Sequence, residues 1–189
     1  MGDASLADLL SLDRVLLGRA AAGWEDAVRQ VGAVLLSAGA VTDGYADAMV
    51  DRERSVSTYV GEGVAIPHGT LASRDLVTHD ALCVVQYPGG VDWHGDEVVL
   101  CIGIAARGEG HVPILARLAE LLMEPDRAAA LRGATTPAEV VALLTPDDMP
   151  AEAPPSDEAV ARAADDEAAG TGSKAAVDED NLASPRGSS

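Results

Sequence analysis

The chain has few positive charges and few cysteines, and both shortages narrow what it can do. Among its 189 residues, 13 are lysine or arginine and 31 are aspartate or glutamate, which gives a formal net charge of −18 at pH 7. Such a surface repels phosphate backbones and anionic lipid, so it argues against nucleic acids and membrane surfaces as partners. Cys83 and Cys101 lie in apolar runs, and we expect buried free thiols rather than a disulfide or a metal pair.

Long apolar runs are also missing. There is no window of about 18 uninterrupted apolar residues, and the N-terminus MGDASLADLL has no basic region followed by an apolar one. We therefore expect a cytoplasmic protein without direct membrane insertion.

The composition changes sharply near Pro150. From there the chain is rich in alanine, proline, glycine, serine and acidic residues and has almost no large apolar side chain. Such a segment cannot bury enough surface to offset the entropy lost on ordering. We predict one folded domain over residues 1–148 and a disordered acidic tail over residues 149–189.

Helical and strand patterns alternate within the predicted domain. Apolar residues recur at helical spacing from Trp24 to Ala38, and again from Thr42 to about Arg54, where Thr42 is a plausible cap. The apolar run ALCVVQY, followed by the turn signal YPGG, and the run EVVLCIGIAA are predicted as strands.

Two further helices are predicted towards the end of the domain. One begins at or beside His111 and has Pro113 in its first turn. The other begins at TTPAEVVALL, where Thr136 and Glu139 have the spacing of a capping box. Because helices and strands interleave, we expect an α/β fold with helices that cover a sheet.

Four histidines are candidates for chemistry: His68, His79, His94 and His111. No two have the spacing of a metal-binding pair and no cysteine lies near one at ligand spacing, which argues against a zinc site. His79 lies in a polar stretch and His94 in the loop DWHGDE, and both are interpreted as solvated surface residues.

His68 stands between a proline and a glycine in GVAIPHGT. Proline fixes the backbone angle φ, glycine lets the backbone turn freely, and the apolar run before them anchors the segment on a sheet. We expect the ring to be presented at a sheet edge or loop. A turn histidine without a function is the alternative.

His111 and two arginines could assist at such a site. A helix N-terminus favours anions, so a phosphate or carboxylate could lie beside His111, although a polar residue that merely begins the helix is the alternative. Arg52 could present its guanidinium fork to an anion near His68, or it could simply stabilise a helix C-terminus. Arg54 could do either job equally well.

Two imidazoles, an arginine and a helix N-terminus suit a phosphoryl group, because a neutral imidazole is nucleophilic near pH 7. Neither a Walker loop nor a magnesium-binding carboxylate motif is visible. The phosphoryl donor would therefore be another protein or a small phosphodonor rather than ATP held in a P-loop.

Several motifs together resemble one known family. They are Asp51–Glu53, the segment from Thr58 to Thr70, VVQYPGGV, IGIAARGEGH with the helix after it, and AEVVALL. In this order and spacing they are similar to enzyme IIA of the bacterial sugar phosphotransferase system, in the mannitol/fructose group, and especially to the mannitol type. The resemblance covers roughly residues 5 to 145.

The resemblance implies a fold and a set of roles. The fold is a single domain with a mixed, mostly parallel sheet covered by helices on both sides. His68 would accept a phosphoryl group from phosphorylated HPr and pass it to a cysteine of enzyme IIB, while His111 and Arg52 would hold the phosphoryl oxygens. No cofactor or metal is implied, and no enzyme IIB or IIC segment is visible, so we expect separate partners.

Two other functions stay open at this point. One is a regulatory binding module on the same fold, switched by phosphorylation of His68. The other is a metal-dependent hydrolase that uses scattered histidines. The sugar also stays open, with fructose or another hexitol as the competitor of mannitol.

Overall fold

The computed structural model describes residues 6–107 and 111–145, and for His111 it describes the backbone only. The predicted acidic tail lies outside these residues. Within them the chain forms six α-helices, five strands and two short 3-10 helices. The helices are α1 (Leu6–Leu9), α2 (Trp24–Ser37), α3 (Tyr45–Ser55), α4 (His111–Leu122), α5 (Pro125–Gly133) and α6 (Pro137–Leu144); the strands are β1 (Val15–Leu16), β2 (Tyr59–Gly61), β3 (Val64–Ala65), β4 (Ala81–Trp93) and β5 (Asp96–Ala105); and the 3-10 helices span Leu12–Arg14 and Leu71–Leu76.

The strands form one mixed sheet in the order β1-β4-β5-β3-β2. The pairs β1–β4 and β3–β5 are parallel, and β4–β5 and β2–β3 are antiparallel. The prediction of a mixed sheet in an α/β fold is confirmed. The longest pairing is between β4 and β5, which form a hairpin in the middle of the sheet.

The hairpin turn lies later than the sequence predicts. β4 continues through YPGG, where the register shifts between Gln86 and Val91, and the chain reverses only at His94 and Gly95. Both of these residues have a positive φ, 58° and 102°. Two-residue hairpin turns of this kind need a positive φ at both central residues, and YPGG is an irregular part of the strand.

Helices cover both faces of the sheet, as predicted. Alternate residues of the central strands point to opposite faces, so Leu82 and Val84 pack with α1, α4, α5 and α6, while Cys83 and Val85 pack with α2 and α3. None of the described helices has the length and apolarity needed to cross a membrane.

Both cysteines are free and fully buried, as predicted. Burial raises the pKa of the Cys83 thiol to about 12 and raises the pKa of Cys101 as well. Neither thiol is therefore ionised near neutral pH, and both serve as packing residues between the sheet and helices α2 and α3.

The helix starts are partly as predicted. In α6 the Thr136 hydroxyl accepts the Glu139 N–H and the Glu139 carboxylate accepts the Thr136 N–H, so the capping box is confirmed. In α3 the cap prediction is wrong, because the residue before the helix is Gly44, with φ 89°, and no side chain caps the first turn. The Thr42 hydroxyl instead donates to the Leu76 carbonyl.

Candidate functional site

His68 lies just beyond the carboxyl end of β3. The Ile104 N–H of β5 donates to the Pro67 carbonyl at 3.0 Å, and His68 pairs with Ile104 as an isolated parallel bridge. Because β3 and β5 are parallel, this bridge extends their pairing to the edge where both strands end. Ligands of open α/β sheets bind outside the carboxyl ends of the strands, so this edge is a suitable place for a reactive side chain.

The His68 ring is half-buried and its orientation is fixed by its own backbone. Its Nδ1 atom lies 2.8 Å from the Ile66 carbonyl oxygen. A carbonyl can only accept a hydrogen bond, so Nδ1 carries the proton in the neutral ring and Nε2 carries the lone pair. In this arrangement Nε2 is the ring nitrogen with the chemistry of a nucleophile.

Gly69 is required for space rather than for backbone freedom. A Cβ atom at this position would lie 2.5 Å from the Ser73 hydroxyl oxygen and 2.7 Å from the Tyr45 ring, and its φ is outside the left-handed region. The expectation that this glycine lets the chain turn freely is therefore wrong. Its small size lets α3 and the Leu71–Leu76 helix approach the segment that carries His68.

Tyr45, at the start of α3, ties these parts together. Its buried hydroxyl donates to the Ile104 carbonyl at 2.9 Å and accepts the Gly69 N–H at 3.1 Å. Burial raises the pKa of Tyr45, so the phenol keeps its proton at neutral pH. The sequence pattern identified Tyr45 only as part of an apolar helix face, because both of its hydrogen bonds join residues far apart in the chain.

A small cavity of about 20 Å³ lies beside His68, enough for one water-sized group. It is lined by Tyr45, Gly69, Ser73, Arg74 and Ile104, among others. The Ser73 hydroxyl donates to the Thr70 carbonyl at 2.8 Å. The cavity is too small for a sugar, so a larger group at His68 has to lie on the outer surface.

Arg52 lies in the last turn of α3, as predicted, but the described residues that line the cavity do not include it. One guanidinium nitrogen donates to the Val56 carbonyl at 2.7 Å, which is the stabilising contact of a helix C-terminus. Arg54 pairs with the Glu25 carboxylate at 2.9 Å and lies 3.6 Å from the Asp51 carboxylate. Of the two arginines, Arg54 is thus the one engaged with acidic groups.

Glu53 is an internal anchor that the sequence did not reveal. Its side chain is buried, and its carboxylate accepts hydrogen bonds from the Trp93 indole N–H at 2.7 Å, from the Thr58 N–H at 2.9 Å and from the Thr58 hydroxyl. The His94 Nε2 atom lies 3.3 Å from the same carboxylate. These contacts join the end of α3, and with it Arg52, to the β4–β5 hairpin.

The other two histidines have different surroundings. His79 is exposed, as predicted. His94 is also exposed and lies in the hairpin turn, as predicted, but one side of its ring contacts Glu53 and packs on the Trp24 ring with the centroids 4.9 Å apart. Among the described residues no group of three potential metal ligands occurs.

His111 is the first residue of α4, which confirms the predicted helix start. Its side chain lies outside the described part of the structure. The helix begins five residues after Ala106, which lines the cavity beside His68. The role of His111 is therefore a prediction that its place in the chain suggests.

A half-buried imidazole with a fixed tautomer, at the strand-end edge of an α/β sheet, defines a domain that can carry a chemical group on a histidine. The chain belongs to the family "Phosphoenolpyruvate-dependent sugar phosphotransferase system, EIIA 2", whose model matches residues 8–146. The family predicted from the sequence motifs is thereby confirmed.

Named relatives agree with this membership. The chain is 42% identical over 136 residues to a multiphosphoryl transfer protein of Salmonella typhimurium; the match covers 71% of this chain but only 36% of that relative. It is 39% identical over 121 residues to the mannitol-specific phosphotransferase enzyme IIA component of Staphylococcus aureus, with 64% of this chain and 84% of that protein covered.

Solved structures show the same fold. The crystal structure of IIA mannitol from Escherichia coli has a TM-score of 0.67 and 38% identity, and the match covers 71% of this chain and 98% of that one. Escherichia coli enzyme IIA of the mannitol system, in complex with its phosphorylated enzyme IIB, has a TM-score of 0.67 and 37% identity, over 71% of this chain and 96% of that one.

Proposed function

We propose that the protein is a phosphocarrier of the sugar phosphotransferase system and that His68 accepts the phosphoryl group. One observation supports this most strongly: the contact between Nδ1 and the Ile66 carbonyl, which leaves the lone pair of the neutral ring on Nε2. The nucleophile thus needs no separate base to remove a proton before it attacks.

The transfer consists of two displacements at phosphorus. The His68 Nε2 lone pair forms a bond to the phosphorus of phosphorylated HPr, and the bond between that phosphorus and the donor imidazole breaks, with its electron pair returning to the donor nitrogen. A cysteine thiolate of enzyme IIB then attacks the same phosphorus, and the bond to His68 breaks. Arg52 and His111 are assigned to the phosphoryl oxygens, whose charge they would neutralise.

The partners and the sugar follow from the relatives. HPr is assigned as the donor and enzyme IIB, with its membrane enzyme IIC, as the acceptor, because a related enzyme IIA binds phosphorylated enzyme IIB. Mannitol is assigned as the sugar from the Staphylococcus aureus relative, and fructose or another hexitol is the competitor. The reaction requires no cofactor and takes place in the cytoplasm.

The domain boundary is part of the same proposal. We assign residues 1–148 to the enzyme IIA domain and residues 149–189 to an acidic tail outside it. The family match ends at residue 146, which supports a boundary close to the change in composition.

Replacement of the nucleophile tests the proposal. We expect His68→Ala to abolish labelling by phosphorylated HPr, whereas His79→Ala, the matched loss of an exposed histidine, keeps stoichiometric labelling. Retained labelling of His68→Ala would show that another residue is the acceptor. Labelled wild-type protein that transfers nothing to the enzyme IIB cysteine would instead identify a regulatory switch.

A further inference from the structure

Arg74 is the arginine that lines the cavity beside His68. It lies in the 3-10 helix Leu71–Leu76, which begins two residues after Gly69, and its side chain is exposed. The neighbouring Ser73 is held by its hydrogen bond to the Thr70 carbonyl. The short helix therefore fixes the backbone that carries this guanidinium next to the His68 segment.

The charges around Arg74 distinguish it from about half of the arginines in the described chain. The arginines that contact a carboxylate within 4 Å are Arg29, Arg54, Arg117, Arg127 and Arg132. Within the described residues Arg74 has no such contact, although the whole protein has a formal charge of −18. A guanidinium with no carboxylate of the described residues within 4 Å is available to an anion from outside.

Two other arginines use their side chains to bind backbone carbonyls. Arg52 donates to the Val56 carbonyl and lies outside the lining of the cavity. Arg107 donates from its Nε atom to the Val77 carbonyl at 3.1 Å. Arg74 is the cation for which the described structure provides both a place beside His68 and no internal acceptor.

We infer that Arg74 binds the phosphoryl oxygens when the group is on His68, as a phosphoryl-binding residue in addition to Arg52. This inference rests on the proposed function. A phosphoryl group on an imidazole carries up to about two negative charges at pH 7. Arginine presents its N–H donors as a planar fork that matches two oxygens of one phosphoryl group, which a single ammonium cannot do.

The position of the transfer equilibrium separates this role from partner docking. The partition of the phosphoryl group between HPr and this protein depends only on the free energies of the separate phosphorylated and unphosphorylated proteins. A residue that merely docks HPr changes the rate of transfer and leaves the partition unchanged. A residue that binds the phosphoryl oxygens changes both.

The experiment measures rate and partition for wild-type protein, Arg74→Gln, Arg74→Lys and Arg19→Gln with phosphorylated HPr. Arg19 is exposed and lines a separate cleft, so Arg19→Gln is the matched loss of one positive charge. We expect Arg74→Gln to shift the partition about tenfold towards HPr and to slow transfer by at least as much. Arg74→Lys should lie between it and the wild type, and Arg19→Gln should match the wild type.

Two results would overturn the inference while the proposed function stands. One is a slower transfer by Arg74→Gln with an unchanged partition, which would make Arg74 a docking residue. The other is behaviour identical to Arg19→Gln. Failure of the wild-type protein to accept any phosphoryl group would overturn the proposed function itself, and the inference with it.

Discussion

At the scale of single residues, the His68 site depends on close packing as much as on the reactive ring. Gly69 lies where any side chain would collide with the Ser73 hydroxyl and the Tyr45 ring. The sequence motif therefore needs glycine because three parts of the chain meet there: the end of β3, the start of α3 and the Leu71–Leu76 helix.

This packing gives a prediction for Gly69→Ala. The added Cβ must displace Tyr45 or Ser73, so we expect a loss of about 1–3 kcal/mol in the free energy of unfolding, as for other overpacked sites. Urea unfolding measures it. The control is Gly89→Ala, where no atom lies within 4 Å of the added Cβ. Equal stability of the two variants would contradict the crowding seen in the structure.

The side chains that hold the site in place contact residues far apart in the chain, so their roles were hard to predict from the sequence. The motifs around Arg52, His68 and His111 identified the family and the candidate residues. Tyr45, Glu53 and Arg74 were missed, because their importance comes from contacts such as Tyr45 to Ile104 and Glu53 to Trp93, which only the folded sheet creates.

At the scale of elements, buried side chains fix both ends of helix α3. Tyr45 in its first turn binds the backbone of Gly69 and Ile104, and Glu53 in its last turn binds the β4–β5 hairpin. Tyr45 therefore holds the first turn of α3 against the edge where His68 lies, and Glu53 holds its last turn against the hairpin.

The first-turn contact predicts a specific effect of Tyr45→Phe. Loss of the hydroxyl leaves the Gly69 N–H without its acceptor, so we expect a loss of about 1–3 kcal/mol in stability together with slower acceptance of the phosphoryl group. Urea unfolding and a rapid-quench transfer assay measure the two effects.

Tyr87→Phe is the matched control for that variant. The Tyr87 hydroxyl is also buried and donates to a carbonyl, that of Ala27, but it does not contact the His68 segment. We expect a comparable loss of stability with normal transfer. If both variants transferred at the same reduced rate, the effect would be one of stability and Tyr45 would have no positioning role.

The position of the β4–β5 turn could not be predicted from the sequence. YPGG has the composition of a turn, yet the chain reverses at His94 and Gly95, and β4 and β5 pair from Ala81 with Ala105 to Trp93 with Asp96. The apolar runs predicted the strands well, whereas local composition placed the turn about six residues too early.

At the scale of the whole molecule, the apolar cores lie on the two faces of the sheet, and the candidate site lies at its edge. Two apolar clusters on its opposite faces contain both cysteines and most of the large buried side chains. His68 lies at the strand-end edge between these layers, half-buried and held by backbone contacts. The fold class and the helix cover were predictable because burial on both faces leaves a strong periodic pattern, whereas the order of the strands is set by tertiary pairing.

The most direct test of the whole account is the position of phosphorus in the phosphorylated protein. Nuclear magnetic resonance of ¹⁵N-labelled protein, phosphorylated by HPr, identifies the nitrogen coupled to phosphorus. Because Nδ1 of His68 is held by the Ile66 carbonyl, we predict phosphorus on Nε2 of His68. Phosphorus on Nδ1, or on a residue other than His68, would contradict the account.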